Sequence, residues 1–255
     1  MVINNKLSMR RLLIPFLQLI LFLLPFKGKT YDFIKRVFDL ILSLYVLAIF
    51  SPLFLLAAIA VKLSSKGPVF YNAKRAGRRG NEICLYKFRT MVKNADKSST
   101  ITIGSDNRIT KVGKLLRATK IDELPQFINI IKGDMSIIGP RPESLNIVKN
   151  LYNQSDEEIL LVRPGLTCPG NLLYYVYHEN LVPPANMHPE EFYAKHILPP
   201  KLSADLHYVR HRCLSYDIKL VFETIYILCS KWIGRTPRWE PDFEWQPRDD
   251  WKKPK

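Results

Sequence analysis

The adjacent carboxylates Asp122 and Glu123 are the residues whose type and surroundings best suit chemistry. They open the stretch Asp122-Glu123-Leu124-Pro125-Gln126, after which Leu124, Phe127, Ile128 and Ile131 share one helical face and Gly133 ends the run. Asp is a favoured N-cap, and Pro125 lacks an N–H that a first turn would leave unpaired anyway. A helix is therefore predicted to begin here, with both acids at the positive end of its dipole. By position alone, an ordinary cap with a first-turn acid is the plainer reading of the pair. The neighbouring cations favour chemistry. Lys114, Arg117 and Lys120 precede the acids, Lys87 and Arg89 leave a predicted strand, and Arg141 is held between Pro140 and Pro142. Arginines on stiff backbone suit two-pronged capture of phosphate oxygens. Acids facing them suit a divalent cation and phosphoryl chemistry. Lys87, Arg89, Arg117 and Arg141 are accordingly the candidate substrate-binding residues.

The elements that must position this group are partly readable. Val69-Phe70-Tyr71 and Ile83–Phe88 read as short strands around the turn Ala76-Gly77-Arg78-Arg79-Gly80. Lys111 to Arg117 reads as a basic helix. Residues 166–200 are proline-punctuated with little period. Lys201 to Trp232 reads as helix, with Ile218, Val221, Phe222, Ile225, Leu228 and Trp232 on one apolar face. The tail from Gly234 holds Trp239, Trp245 and Trp251 among prolines, with 6 basic and 5 acidic residues. With so little charge bias, its tryptophans either dock on the protein body or sit at a bilayer interface.

Leu40 to Val61 is 22 residues without a charge. At 1.5 Å per residue that is roughly 33 Å of helix, enough for a hydrocarbon core of about 30 Å. Both flanks are basic: Lys35 and Arg36 before, Lys62, Lys66, Lys74 and Arg75 after. A single span would carry one cluster across the bilayer, against the positive-inside tendency. Pro52 cannot donate to the Ala48 carbonyl and its ring crowds that group, so the helix should break at Ser51-Pro52. The Ser51 hydroxyl can satisfy a freed upstream carbonyl. A helix that dips in, bends and returns to the same face fits these features; a kinked spanning helix is the alternative. Leu12 to Phe26 is short for a span and lacks a small-residue cleavage site, which favours an additional interfacial helix or a short span over a cleaved signal.

Composition narrows the classes. In 255 residues with a net charge of +15, residues 1–121 carry 22 basic and 5 acidic side chains, and residues 122–255 carry 16 and 18. An excess confined to one half points to an anionic partner there: nucleic acid, an anionic leaflet or a phosphorylated substrate. The four cysteines form no C-x-x-C pair, so a disulfide scaffold is not expected. His207 and His211 could share a helix face, but no third zinc ligand is marked by spacing. Walker, dinucleotide-fold and nucleophile-elbow fingerprints are not found.

Taken in order, Lys35-Arg36 with Asp39, Ser51-Pro52, Gly67-Pro68-Val69-Phe70, Lys87-Phe88-Arg89-Thr90-Met91, Asp122-Glu123-Leu124-Pro125-Gln126, Gly133-Asp134-Met135-Ser136 and Gly139-Pro140-Arg141-Pro142 resemble the bacterial sugar transferases, the monotopic phosphoglycosyl transferases. The resemblance resumes at Arg163-Pro164-Gly165 and returns weakly at Asp205, Tyr208 and Ser215-Tyr216-Asp217. It implies an α+β, membrane-associated fold: a re-entrant helix over residues 35–66 and a small cytoplasmic domain over 67–233, mainly helical with a short β-hairpin. The N-terminal extension 1–34 and the tail 234–255 lie outside the shared core. It also implies transfer of a sugar 1-phosphate from a UDP-sugar to undecaprenyl phosphate, with release of UMP, at the cytoplasmic face of the bacterial inner membrane. Asp122 and Glu123 become the catalytic pair and the Mg²⁺ ligands, with Asp122 forming a phosphosugar–aspartyl intermediate. The lipid bilayer is then a partner and nucleic acid is not. The rival expectation is a non-catalytic, membrane-anchored basic binding protein. After Pro164-Gly165-Leu166-Thr167 the chain departs from the family pattern into a Tyr-rich segment, where donor-sugar selection is expected to lie.

Overall fold

A computed structural model describes residues 28–92, 95, 107–179, 181, 183, 184 and 186–241. The Leu12–Phe26 segment, Trp245 and Trp251 lie outside them. The chain starts with two helices, α1 (Gly28–Ile49) and α2 (Ser51–Ser64), bent by 64° at the predicted break. The cause is visible in the hydrogen bonds. Pro52 has no N–H for Ala48, and the Ser51 hydroxyl takes over, donating to the Ala48 carbonyl at 2.8 Å. The backbone ladder resumes at once, with the Phe54 N–H reaching the Phe50 carbonyl at 2.8 Å. Among the described residues no single helix is long and apolar enough to cross a membrane, but this bent pair is by length and composition.

The first half of α1 is bolted to the rest of the protein. Lys35 Nζ and Tyr31 Oη donate to Asp217 Oδ2 at 2.7 and 2.8 Å, and Tyr208 Oη donates to Asp217 Oδ1 at 2.6 Å. Asp39 accepts the Ile137 N–H at 3.0 Å. Phe38, Leu42, Val46 and Leu47 pack on the main core, which includes Phe127, Ile130, Met135, Ile138, Leu220 and Ile227. Beyond this buried stripe Ile41, Leu44, Tyr45 and Ile49 are exposed, as are Leu55, Leu56, Ile59 and Leu63 on α2.

The predicted hairpin forms as β1 (Phe70–Ala76) and β2 (Glu82–Phe88), antiparallel with Phe70 opposite Phe88. Phe88 stacks on Phe70 and meets Phe54 of α2, with ring centroids 5.5 and 4.9 Å apart. The basic helix α3 (Lys111–Thr119) and α4 (Gln126–Lys132) follow. Gly133, left-handed at φ 91°, ends α4 as expected. Two three-residue strands, β3 (Ser136–Ile138) and β4 (Gly165–Thr167), pair in parallel, with α5 (Leu145–Leu151) in the crossover. They were not predicted, since three residues carry no usable period.

After β4 the proline-rich region is more regular than its sequence suggests. Pro169 and Pro189 sit in the first turns of α6 (Pro169–Leu173) and α7 (Pro189–Phe192), each continuing into a wide π turn, Tyr174–His178 and Tyr193–Ile197. The single helix expected over 201–232 is two: α8 (Leu198–His211) and α9 (Leu214–Trp232). Cys213 between them is extended, at φ −155° and ψ 167°. The break lets Tyr208 and Asp217 converge on Tyr31. Only part of the apolar face foreseen on α9 meets the core: Val221 packs on it, but Phe222, Ile225 and Trp232 are exposed, and α9 seats Asp217, Leu220 and Ile227 inward. The helix is apolar on two sides, and periodicity alone could not say which one the core would take. The tail docks through Trp239, whose indole N–H donates to Glu223 Oε2 at 3.0 Å.

A methyl group at Gly165 would lie 2.1 Å from the Gly139 backbone nitrogen. Gly165→Ala should therefore force β3 and β4 apart at a cost of about 1–3 kcal/mol or more. A denaturant-unfolding midpoint equal to that of the parent would refute this.

Candidate active site

Period-two alternation on β2 sends Tyr86 toward Lys132 of α4 and Lys87 to the other side, where it reaches Glu123; the chain then runs through Arg89, Thr90 and Met91, which bridges to Ile109. Thr110 caps α3, its hydroxyl accepting the Gly113 N–H at 2.9 Å. At Gly113 a Cβ would stand 2.0 Å from the Thr90 carbonyl oxygen, so only glycine lets α3 lie this close. That approach brings Arg117 Nε to Thr90 Oγ1 at 2.9 Å. Lys120, left-handed at φ 59°, closes α3 and turns the chain sharply into the 3₁₀ turn Ile121–Glu123.

This corrects one expectation. Asp122 does not cap α4: Pro125 occupies that position, and the acids belong to the preceding tight turn. The Leu124 N–H bonds the Ile121 carbonyl at 3.1 Å and the Phe127 N–H bonds the Leu124 carbonyl at 3.1 Å, a three-residue spacing that separates the acids from α4. Their environment is set by side-chain charges.

The two acids are treated very differently. Arg141 grips Glu123 with both terminal nitrogens, Nη1 reaching Oε2 at 2.9 Å and Nη2 reaching Oε1, while Lys87 Nζ donates to Oε1 at 3.0 Å. Burial by itself would raise the Glu123 carboxyl, but Arg141 and then Lys87 outweigh it and hold the group well below the carboxylate range. Asp122 is 7% exposed, and its Oδ1 has no hydrogen-bond partner. Burial, followed by the neighbouring Glu123 charge, pushes it up to about 6. Burial lowers Lys87 from its usual lysine range.

Both acids border a cavity of about 630 Å³ that also takes in Lys87, Arg89, Arg117, Lys120 and Arg141. All six chemistry-bearing residues singled out in the sequence thus meet here, but Arg89 is differently occupied. Its Nη2 donates to the Ser65 carbonyl at 2.7 Å, the Ser65 hydroxyl at 3.0 Å and the Val61 carbonyl at 3.3 Å, and its Nη1 to the Pro68 carbonyl. It closes the C-terminal end of α2 and is not presented as an open fork. Ser51 and Pro52 are not on the cavity wall. The far wall comes from residues not singled out individually in the sequence: Asn171, Tyr193 and Lys201, with Tyr174 and Tyr175 of the Tyr-rich segment. Lys201 Nζ donates to Glu143 Oε1 at 2.7 Å and to Tyr193 Oη at 2.8 Å. The available signal was the Tyr-rich departure after Thr167 and the acid two residues past Arg141.

Among the described residues no cluster of three or more His, Cys, Asp and Glu side chains is assembled around a metal. The buried, unpartnered Asp122 oxygen on a cavity wall does suit one ligand position of a Mg²⁺ ion, which commonly takes one or two carboxylates and completes its shell with phosphate and water. Glu123, with both oxygens held by cations, does not suit a second position in this arrangement.

Residues 30–231 match the family described as Bacterial sugar transferase. The chain is 35% identical over 210 residues to UDP-N-acetylgalactosamine-undecaprenyl-phosphate N-acetylgalactosaminephosphotransferase of Aeromonas hydrophila, covering 80% of this chain and 45% of that protein. It is 38% identical over 197 residues to UDP-glucose:undecaprenyl-phosphate glucose-1-phosphate transferase of Escherichia coli K12, covering 76% and 39%. It is 36% identical over 211 residues to exopolysaccharide production protein ExoY of Sinorhizobium fredii, covering 76% and 85%. The chain thus spans less than half the length of the first two relatives and most of the third. With the family match running from α1 to the end of α9, the chain belongs to the bacterial sugar transferase family.

Proposed function

We propose that this protein transfers a sugar 1-phosphate from a UDP-sugar to undecaprenyl phosphate, releasing UMP, as a first membrane step in assembling an exopolysaccharide or related glycan. The observation that carries the reading is Asp122: an acid with an unpartnered oxygen on the wall of a large cavity rimmed by cations, beside a second acid already neutralised. A carboxylate attacks an anionic diphosphate only where positive charge cancels the repulsion. Lys87, Arg117, Lys120 and Arg141 surround the position where that charge would arrive.

In this mechanism an Asp122 oxygen attacks the sugar-bearing phosphorus. The bond from that phosphorus to the oxygen bridging to UMP breaks, and UMP leaves with the electron pair. A phosphate oxygen of the polyprenyl acceptor then attacks the same phosphorus and displaces Asp122, restoring the carboxylate. Glu123 keeps Arg141 and Lys87 in place through both steps. Bound Mg²⁺, with Asp122 as its protein ligand, would neutralise diphosphate charge. The relatives' names support the donor and acceptor classes, but they name different sugars, so they do not choose one for this chain.

The apolar faces of α1 and α2 support a re-entrant insertion into the bacterial inner membrane, with the catalytic cavity on the cytoplasmic side. The 64° bend turns the chain back, and Lys35 and Arg36 remain attached to the same domain that Lys62 and Lys66 lead into.

The assay is UMP release across a panel of UDP-sugars with undecaprenyl phosphate and Mg²⁺. Asp122→Asn should abolish turnover, and without acceptor a labelled donor should leave label on a peptide containing Asp122. Wild-type turnover by the variant would exclude the covalent role. On pH, kcat/KM should rise as Asp122 deprotonates near 6, because only the charged form attacks. In Glu123→Gln, losing the neighbouring negative charge should move that acid limb to lower pH, alongside a large loss of rate. A limb that stays put or moves up contradicts the charge assignment. Arg141→Lys should lose much of what Arg141→Ala loses, since an ammonium keeps the charge but cannot grip both Glu123 oxygens. For topology, single cysteines near positions 33 and 66 should both be shielded from an external reagent in intact cells. Opposite-side labelling in the parent protein would show a spanning helix.

A further inference from the structure

A second, smaller cavity lies where α1 meets the domain, and it shares no lining residue with the catalytic cavity. Its volume is about 70 Å³, several times the roughly 10–15 Å³ that one buried water needs. Lys35, Arg36, Arg78, Arg163, Arg212 and Ser136 line it. Two acids, Asp32 and Asp39, also face it.

The charges do not balance. Lys35 is paired with Asp217 at 2.7 Å and Arg212 with Asp32 at 2.7 Å. Asp39 is then the remaining acid against Arg36, Arg78 and Arg163. Arg36 points Nη1 and Nη2 at the Ile130 and Ile131 carbonyls, at 2.6 and 2.9 Å. Arg78 and Arg163 each use Nε on a carbonyl, of Leu161 and Gly133, both at 2.9 Å, and among the described residues their terminal nitrogens have no acceptor. Ser136 is 2% exposed and borders the cavity beside the Asp39 carboxylate, with which its hydroxyl interacts.

We infer that this cavity binds a phosphate-type oxyanion, through the guanidinium forks of Arg78 and Arg163, the charge of Arg36 and the Ser136 hydroxyl. Tetrahedral oxygens match arginine forks, and an anion of charge −1 to −2 offsets the excess. Such a ligand would join the start of α1 to the hairpin turn and to the β3–β4 crossover. The same chemistry is offered by free phosphate and by a phospholipid headgroup, and the two differ in what they link: cellular phosphate, or the membrane surface that α1 is proposed to enter. The inference does not depend on the proposed reaction, because the catalytic residues take no part in it.

The test uses the full chain in detergent micelles, titrated with inorganic phosphate and, separately, with dihexanoyl phosphatidic acid, with dihexanoyl phosphatidylcholine as the zwitterionic control. Saturable binding should weaken about tenfold or more in Arg163→Gln and Arg78→Gln, the equivalent of losing one charge-assisted contact. It should weaken a few-fold in Ser136→Ala, which removes one neutral contact and keeps the fold. Lys149→Gln, which removes an exposed charge on α5 that lines neither cavity, should leave it unchanged. Tighter binding of the phosphatidic acid than of phosphate assigns the site to headgroups, and equal or weaker binding assigns it to the free ion. If the parent binds neither probe saturably, or if Arg163→Gln and Ser136→Ala both bind as the parent does, the inference is wrong. If an arginine variant fails to fold, Ser136→Ala decides.

Discussion

The grip of Arg141 and Lys87 on Glu123 is the interaction on which the catalytic arrangement depends. Two adjacent buried carboxylates cannot both stay charged without compensation. By directing both cations at one of them, the protein gives the pair unequal roles: Glu123 is fully paired, and Asp122 keeps an unpartnered oxygen toward the cavity. A buried pair of this kind is poor evidence for added stability, since desolvation offsets much of the attraction. Its effect is geometric. It ties β2, the 3₁₀ turn and the Arg141 loop to a single side chain, and loss of either partner would leave a buried charge without its match.

Those three elements are in turn held by close backbone approaches. Gly139 and Gly165 let β3 and β4 touch where the Arg141 loop departs, and Gly113 lets α3 lie against Thr90. Asp217 performs the equivalent task for α1, collecting Tyr31, Lys35 and Tyr208 around one carboxylate. The cavity is also joined to α2 on its other side. Arg89 closes the α2 C-terminus from the strand that carries Lys87, and Phe54 packs on Phe88 of that strand. The helix proposed to meet lipid and the lysine that holds Glu123 are thus neighbours in one packed unit.

Much of this was legible in the sequence where local chemistry decides the outcome. Pro52 beside Ser51 predicts both the break and the hydroxyl that repairs it, Gly133 predicts a helix end, and the Gly-rich basic turn predicts the hairpin. Where long-range partners decide, the sequence was silent. Arg89 looks like a phosphate ligand until the α2 carbonyls reach it. Asp122 looks like a cap until Lys120 turns the chain before α4 starts. On α9 two apolar faces compete, and only the core shows that Leu220 and Ile227 prevail. The three-residue strands exist because Gly139 and Gly165 permit contact, a property with no periodic signature. Proline spacing in 166–200 reads as irregularity, yet Pro169 and Pro189 begin helices.

The wide turns that follow those two helices carry a consequence for how relatives diverge. Tyr174 and Tyr193 each open a five-residue turn, and both reach the cavity. A π turn holds one residue more than an α turn and absorbs it locally, so the helix beyond keeps its own face toward the core. Losing that residue would close the turn to α geometry and exchange which side chains of the turn face the cavity, while Glu123 and Arg141 lie on other elements. Gain or loss of one codon in such a turn is therefore a way to change the far wall in a single step, and point substitutions can then adjust the chemistry of whichever face results.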